Sequence, residues 1–208
     1  MYNAVHRNNV IFIKKLCNNI MIKNLKTNIL YLFICLITFS CSSQNSVKDN
    51  IKKMKDSPIC ITENNMKKWV PKNYNSTNKV DTKKFSFIVY ADSSQCSPCF
   101  INGLKEWNKL LGLEKSQKYN IQFIFIIEPR IGEYYRIRHI LNNSHFDHVV
   151  LIDKQNLFRK ENPQIPNERM YHTFLLDPNN NVVLVGNPLF NPKLEKMLRR
   201  ILQEKLKK

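Results

Sequence analysis

Apolar residues cluster in short runs along the second half of the chain, and these runs predict buried strands. Three of them are almost free of polar residues: Phe85–Ala91 (FSFIVYA), Ile121–Ile127 (IQFIFII) and residues 148–152. A strand that is apolar on both faces is covered on both faces, so Ile121–Ile127 is expected near the centre of a sheet.

Between these runs, apolar residues recur every three or four positions, which is the spacing of one helix face. This spacing predicts a helix over residues 98–111, with Gly112 at its end and with Trp107 in the core. It predicts a second helix over residues 133–141. The alternation of strands and helices indicates an α/β fold.

The last third of the chain predicts a hairpin followed by a helix. Thr173–Leu176 and Val182–Val185 flank the turn segment 177–181 (DPNNN), whose asparagines tolerate left-handed backbone. Asn191 followed by Pro192 is typical of a helix start. The buried face of that helix would carry Leu194, Met197, Leu198, Ile201 and Leu202.

The N-terminus predicts export from the cytoplasm. Residues 29–39 are apolar without a charge and follow Lys23 and Lys26. A spanning helix needs about 20 such residues, whereas the apolar part of a secretory signal needs roughly 7 to 15. Residues 1–40 are therefore predicted to be a signal peptide, with residues 1–20 a mis-assigned start or a dispensable extension, since Met21 begins a signal of ordinary length.

Ser40 and Cys41 resemble the cleavage site of a bacterial lipoprotein signal, in which a small residue precedes an acylated cysteine. The resemblance implies a lipid anchor on Cys41 and a periplasmic or outer-membrane location, although Thr38 stands where the usual pattern has Leu. Residues 41–83 would then be a tether and an N-terminal extension of unassigned topology, and residues 84–208 the main domain.

The chain is strongly basic, with 33 Lys and Arg against 16 Asp and Glu and a net charge of +17. The lysines are scattered, and no basic stretch alternates with aromatic residues that could stack on bases. We therefore expect no nucleic-acid partner.

Cys96 and Cys99 lie between a predicted strand and a predicted helix. Free amide groups and the helix dipole stabilise an anion at a helix start, so Cys96 is expected to be the attacking thiolate. Cys99, one turn later, can displace a mixed disulfide from it. Pro98 stands where the helix needs no amide hydrogen. This pattern predicts a redox-active disulfide that requires no other cofactor.

Two other interpretations of the pair were weighed. Two cysteines at this spacing are half of a zinc site, but no second pair follows and the histidines are isolated, so no metal is predicted. A purely structural disulfide stays open. Cys60 is expected to be a buried free thiol.

Three blocks between about Phe85 and Leu206 resemble the thioredoxin superfamily, specifically TlpA-like thiol-disulfide oxidoreductases and thioredoxin-like bacterial lipoproteins. They are FSFIVYADSSQCSPCF, IQFIFII and YHTFLLDPNNNVVLVGNPLFNP. The resemblance implies a central mixed sheet flanked by helices, with the cysteine pair at one sheet edge. It makes Cys96 the nucleophile and Cys99 the resolving thiol, with protein thiols or disulfides as substrates and a separate redox partner.

The same resemblance implies a substrate groove formed by Gln95, Pro98, Tyr171 and His172. Gln95 stands where the family commonly has Trp, and Tyr171 where it has a cis-proline. A cis bond before a non-proline residue costs about 2.5 to 4 kcal/mol, so Tyr171 is expected to be trans. His172 is expected near the sulfurs, or else to be a half-buried structural residue.

Two other branches of the superfamily fit less well. Ser93-Ser94-Gln95-Cys96 is a poor match to the Thr-rich loop of peroxiredoxins, and the branch that delivers copper, which would recruit His172 or His148, spaces its cysteines one residue further apart. The function expected from the sequence is an extracytoplasmic thiol-disulfide oxidoreductase. The alternative is a non-catalytic thioredoxin-fold binding lipoprotein that keeps the cysteines as a structural disulfide.

Overall fold

The computed structural model describes residues 46–72, 74, 81, 83–116 and 118–204. The predicted signal peptide and Cys41 lie outside the described residues. The chain divides into two compact units, residues 1–49 and 50–208, and residues 46–49 are the described part of the first. Within the described residues, no helix has the length and apolar character that a membrane span requires.

The described residues form six strands: β1 (Lys67–Trp69), β2 (Phe85–Ala91), β3 (Ile121–Ile127), β4 (Val150–Ile152), β5 (Thr173–Leu176) and β6 (Val182–Val185). They make one mixed sheet in the order β1-β4-β3-β2-β5-β6. The central strands β2 and β3 are parallel, as are β3 and β4, and the other pairs are antiparallel. Every residue of β2 and of β3 is buried, which confirms the predicted buried strand at Phe85–Ala91 and the predicted central place of Ile121–Ile127.

Helices precede, separate and follow these strands: α1 (residues 46–55), α2 (Ser97–Gly103), α3 (Asn108–Lys115), α4 (Tyr134–Asn142), α5 (Leu157–Glu161) and α6 (Pro192–Glu204). The 3-10 turn Leu104–Trp107 joins α2 to α3, so the predicted helix after Cys96 is present. Gly112 does not end it, because the buried side chains of Leu111 and Leu113 carry the packing past this glycine. Residues 46–50, predicted as part of a tether, are helical.

The sheet separates two apolar clusters. Successive side chains of a strand point to opposite faces, so Phe87 and Phe125 belong to one cluster while Ile88 and Ile126 belong to the other. Helices α2, α3, α4 and α6 cover the first face, and α1 and α5 cover the second. Trp107 lies in the first cluster, as predicted. The predicted α/β fold, a central mixed sheet flanked by helices, is confirmed.

The hairpin and the last helix also follow the prediction, except that Met197 was wrongly predicted on the buried face of α6: it is exposed, and Leu198 and Leu202 are the buried residues of this helix. Strands β5 and β6 pair antiparallel, with an irregularity between Leu175 and Leu176. Asn180, in the turn, has a φ of 64°, the left-handed conformation expected of one of these asparagines. Asn191 Oδ1 accepts hydrogen bonds from the amides of Lys193 and Leu194 and so caps α6.

The segment before β2 is part of the same unit as the rest of the sheet. Strand β1 pairs with β4 at the sheet edge, and Trp69 Nε1 donates to Asn142 Oδ1 at 2.7 Å. The unit that contains the sheet begins at Asn50.

Asn162 attaches this N-terminal segment to α5. Its side chain is fully buried; Oδ1 accepts from the amide of Cys60 at 2.7 Å, and Nδ2 donates to the carbonyls of Cys60 and Phe158 at 2.8 and 2.7 Å. Cys60 itself is exposed, and its Sγ lies 3.4 Å from Thr62 Oγ1. The prediction of a buried thiol was wrong, because Asn162 engages the backbone of Cys60 and leaves its side chain at the surface.

Replacing Asn162 with Ala is expected to lower the free energy of unfolding by about 2 to 4 kcal/mol, because the buried amide and carbonyl partners lose their hydrogen bonds. Urea unfolding followed by circular dichroism measures the change. The control Asn179→Ala removes an exposed asparagine in the β5–β6 turn and should change stability by less than about 0.5 kcal/mol. Equal midpoints for the two variants would contradict the role given to Asn162.

Candidate redox site

Cys96 and Cys99 form a disulfide at the start of α2, with their Cα atoms 5.3 Å apart. Strand β2 ends at Ala91, a polar turn follows, and Cys96 is the residue that caps the helix, with extended backbone. Cys96 Sγ accepts a hydrogen bond from the amide of Cys99 at 3.4 Å. Both cysteines are exposed and Pro98 lies in the first turn, so the predicted juxtaposition of two sulfurs at a helix start is present.

The turn before Cys96 is held in place by the carboxylate of Asp92, which lies within the turn, and by Arg130. Asp92 Oδ1 accepts from the amide of Ser94 at 3.1 Å and from its hydroxyl at 2.6 Å. Arg130 Nε donates to the carbonyl of Ser93 at 2.9 Å, and its Nη2 donates to that of Ser94 at 3.3 Å. A residue that follows β3 therefore fixes the backbone that leads to Cys96.

Glu128, directly after β3, is a buried carboxylate that the sequence prediction missed. Its Oε2 accepts from the hydroxyl of Tyr90, and its Oε1 accepts from Ser93 Oγ at 2.6 Å. Burial, reinforced by this hydrogen bond and by the charge of Glu128, holds the pKa of Tyr90 far above its ordinary value, so the phenol stays a donor. The sequence did carry a signal for Glu128, because an acidic residue directly follows the apolar run of β3.

His172 lies behind the turn and is almost fully buried. Its Nε2 is 3.0 Å from the carbonyl of Pro166, and its Nδ1 is 3.2 Å from Gln95 Nε2 and 3.8 Å from Asp92 Oδ2. Burial lowers the pKa of His172 below its ordinary value, and the hydrogen bond to Pro166 and the charge of Asp92 oppose that shift. The neutral imidazole is therefore the form that belongs to this site at neutral pH.

Tyr171 ends the 3-10 turn Arg169–Tyr171, and its side chain is buried in the second apolar cluster. Its hydroxyl accepts from Asn50 Nδ2 at 3.2 Å. The described residues contain no cis peptide bond, in line with the trans bond expected at this position. Of the four predicted groove residues, Gln95 and Pro98 are partly exposed beside the cysteines, whereas Tyr171 and His172 are buried.

No three His, Cys, Asp or Glu side chains lie close enough together to bind one metal ion in the part of the chain that the structure describes. Both ring nitrogens of His172 already have hydrogen-bond partners. His148 Nε2 lies 3.0 Å from Glu114 Oε2, in a hydrogen bond of its own. The structure therefore does not assemble the two cysteines with a histidine into the site that copper delivery would need.

No protein-family model and no curated protein matches the chain. Solved structures do match it. A protein described as a thiol:disulfide interchange protein, DsbE, from Chlorobium tepidum is 18% identical, with a TM-score of 0.39 over 59% of this chain and 80% of that chain. A thioredoxin-like protein in its oxidised form is 13% identical, with a TM-score of 0.46 over 73% and 98%. A 2-Cys peroxiredoxin from Plasmodium vivax is 15% identical, with a TM-score of 0.40 over 61% and 82%. Such a likeness assigns no activity to this chain.

The Tyr90–Glu128 contact can be measured with a double-mutant cycle of Tyr90→Phe and Glu128→Gln. We expect a coupling energy of about 1.5 to 3 kcal/mol in urea unfolding, because the hydrogen bond is buried and its acceptor is charged. As a matched control, Glu195→Gln on α6 should couple to Tyr90→Phe by less than about 0.5 kcal/mol. A coupling energy of zero for the first pair would show that the contact does not hold β2 to β3.

Proposed function

We propose that this chain is an extracytoplasmic thiol-disulfide oxidoreductase that exchanges disulfides with protein substrates through Cys96 and Cys99. The observation that carries the proposal is the exposed disulfide at the start of a helix. Its cofactor is the disulfide itself.

The reaction takes two thiol-disulfide exchanges. In the reduced chain, the Cys96 thiolate attacks one sulfur of a substrate disulfide, forms a mixed disulfide and releases the other substrate sulfur as a thiolate. The Cys99 thiolate then attacks Cys96 Sγ, closes the Cys96–Cys99 disulfide and releases the second substrate thiolate. Two electrons pass to the substrate, and the reverse sequence oxidises a substrate dithiol. The reduction potential of the pair against that of its partner sets the direction.

The amide of Cys99 supports the role of Cys96 as the attacking sulfur. It already donates to Cys96 Sγ at 3.4 Å in the disulfide form. An amide that points at a sulfur at a helix start stabilises negative charge there. The helical backbone continues from α2 through the 3-10 turn into α3, so the start of a long helical segment faces this sulfur.

A structural disulfide is the rival explanation, and two observations favour exchange over it. The bond closes a loop of four residues within one helical turn, so by loop entropy it would stabilise the fold by only about 2 kcal/mol. Both sulfur-bearing residues are also exposed, whereas a structural staple gains nothing from contact with solvent.

The loop after β3 supports a protein as the substrate. It contacts the cysteine segment at two places, since Arg130 binds the turn and Glu133 Oε2 accepts from Ser97 Oγ at 3.4 Å. The same loop and the start of α4 carry two exposed apolar side chains, Ile131 and Tyr135. Apolar surface beside a reactive sulfur is suited to a polypeptide chain rather than to a small polar thiol.

The location is proposed from the N-terminal sequence. An apolar segment of secretory length followed by Ser40-Cys41 is the basis for export and for a lipid anchor on Cys41. A persisting disulfide also fits an oxidising compartment. The predicted partners are therefore substrate proteins, a redox partner and, through Cys41, a membrane.

The variant Cys99→Ser, made together with Cys60→Ala to remove the exposed free thiol among the described residues, is expected to accumulate mixed disulfides with substrate proteins. It keeps the attacking sulfur and lacks the one that resolves the intermediate. Non-reducing electrophoresis and mass spectrometry of a cell expressing the full chain measure the trapped species.

The matched control is Cys96→Ser with Cys60→Ala, which keeps the second sulfur and should trap at least about tenfold less, because Cys99 is not the attacking thiol. If the Cys99→Ser variant traps no protein, and if dithiothreitol does not reduce the wild-type disulfide, the pair is structural and the proposed activity is wrong.

Cys41→Ser is expected to release the mature chain from the membrane fraction of a bacterial host, because the acylated residue would be lost. Fractionation with and without detergent, together with labelling by a fatty-acid analogue, measures this. Cys35→Ser, within the predicted signal, is the control and should leave the labelling unchanged. A Cys41→Ser chain that stays labelled and membrane-bound would exclude Cys41 as the anchor.

A further inference from the structure

We infer that His172 is a positioning residue for the Cys96–Cys99 disulfide: in its neutral form it holds the cysteine turn through Gln95, and in its protonated form it releases Gln95 and pairs with Asp92. This inference rests on the proposed function, because it describes how the reactivity of that disulfide would depend on pH.

The hydrogen bonds of His172 fix its tautomer. The carbonyl of Pro166 can only accept a hydrogen bond, so Nε2, 3.0 Å away, carries the hydrogen. In the neutral ring, Nδ1 is then a bare acceptor, and the Gln95 amide donates to it from 3.2 Å. Protonation at Nδ1 would set two donors against each other, so the bond in which Gln95 Nε2 donates exists only while His172 is neutral.

Asp92 offers a second partner for the protonated ring. Its Oδ2 lies 3.8 Å from Nδ1, while its Oδ1 accepts from Ser94. A short movement would turn this contact into a charged hydrogen bond, which is stronger than the neutral bond that it replaces.

The other groups that face His172 either disfavour a positive charge on its ring or are uncharged. The guanidinium groups of Arg159 and Arg169 disfavour a positive ring, and the ring of Tyr90 packs against it with the centroids 5.1 Å apart. Burial, the largest contribution, lowers the pKa of His172, while the Pro166 contact and Asp92 oppose the shift. His172 is therefore neutral at pH 7 and takes up its proton below the ordinary value of 6.5.

Gln95 connects this ring to the reactive sulfur. It directly precedes Cys96, the residue whose Sγ is hydrogen-bonded to the amide of Cys99. The other side of the turn is fixed independently, since the amide of Tyr90 donates to the carbonyl of His172 at 2.9 Å. Losing the Gln95 side-chain contact therefore loosens the end of the turn that carries Cys96, although the backbone amide of Gln95 still donates to the carbonyl of Asp92 at 3.1 Å, and it leaves β2 in place.

Two consequences of protonation act in the same direction. A freed Cys96 is easier for a nucleophile to approach, and a positive ring behind the turn stabilises the thiolate that leaves when the disulfide opens. We expect the disulfide to be reduced faster on the acid side of the His172 titration midpoint, which lies below 6.5, than on its alkaline side. Stability changes too: with a folded pKa below the unfolded one, the contribution of neutral His172 is complete above about pH 6.5 and is lost as the pH falls below it.

The test uses the oxidised full chain in detergent, in which neither Cys96 nor Cys99 titrates. The rate of disulfide reduction by a water-soluble phosphine, corrected for the fraction of free phosphine, is measured from pH 5 to 8. Long-range proton–nitrogen NMR of the histidine-labelled chain gives the tautomer and the titration midpoint of His172. We expect the Nε2–H tautomer at pH 7.5. We also expect the rate of disulfide reduction to rise about threefold as the pH falls through the His172 midpoint, because the loss of one hydrogen bond is worth a factor of this size.

Gln95→Met removes the donor and keeps the length of the side chain. It should raise the rate at pH 7.5 part of the way to the acid value of the wild type and reduce the pH-dependent step, because the ring stays neutral at that pH. Asp92→Asn keeps the Oδ1 acceptor for Ser94 and should move the His172 midpoint to lower pH. Gln155→Met, an exposed glutamine outside the site, should match the wild type.

Three outcomes would overturn the inference: an Nδ1–H tautomer or a charged ring at pH 7.5, a rate with no inflection at the His172 midpoint, or a Gln95→Met profile identical to that of the wild type. Failure of the proposed function gives a different result. In that case the trapping variant captures no protein, while the NMR tautomer and the phosphine profile still report on the contact between His172 and Gln95.

Discussion

The parallel pairing of β2 with β3 along all seven residues is the constraint on which the rest of the site depends. It places the end of β2 at Ala91 beside the end of β3 at Ile127, and the amide of Glu128 extends the ladder by donating to the carbonyl of Ala91 at 2.8 Å. Because the carboxyl ends of parallel strands meet at one sheet edge, the cysteine turn and the loop after β3 leave the sheet together. Arg130, three residues after the end of β3, therefore lies close enough to bind the turn.

Polar groups at this edge are buried but satisfied. Glu128 has two hydroxyl donors, and His172 has one partner at each ring nitrogen. Within the part of the chain that the structure describes, every buried side-chain nitrogen and oxygen has a hydrogen-bond partner. An unpaired buried polar group costs about 1 to 3 kcal/mol, so this network fixes the turn from behind while the sulfurs in front stay exposed. The buried hydrogen bonds thus support the turn, while the Cys96–Cys99 disulfide in front of it stays accessible.

The N-terminal segment contributes to the same support from the second face of the sheet. The side chain of Asn50 donates to Tyr171, the residue before His172, and Asn162 ties Cys60 to α5. Tyr171 is buried in the second apolar cluster, and this burial fixes the backbone next to His172. Of the four predicted groove residues, Tyr171 thus packs its side chain into this cluster, while Gln95 and Pro98 stay partly exposed beside the cysteines.

The sequence by itself determined those helices and strands whose apolar pattern extends over many residues. The runs in β2 and β3, the stripe from Ile101 to Leu111, the β5–β6 hairpin and the capped start of α6 can be recognised because burial imposes a period on neighbouring residues. The cysteine spacing was local as well, so the position of both sulfurs at a helix start could be predicted. Strand β1 could not be, because three residues with one buried side chain carry no period.

Only the tertiary structure decided which distant residues surround the sulfurs. Glu128 reaches Ser93 across 35 positions and His172 reaches Gln95 across 77, and nothing in the local pattern of either residue identifies its partner. The exposure of Cys60 depends on Asn162, which is 102 positions away. Periodicity reports which side of an element is buried; the pairing of strands determines which polar groups are buried together, and that pairing sets the chemistry around the disulfide.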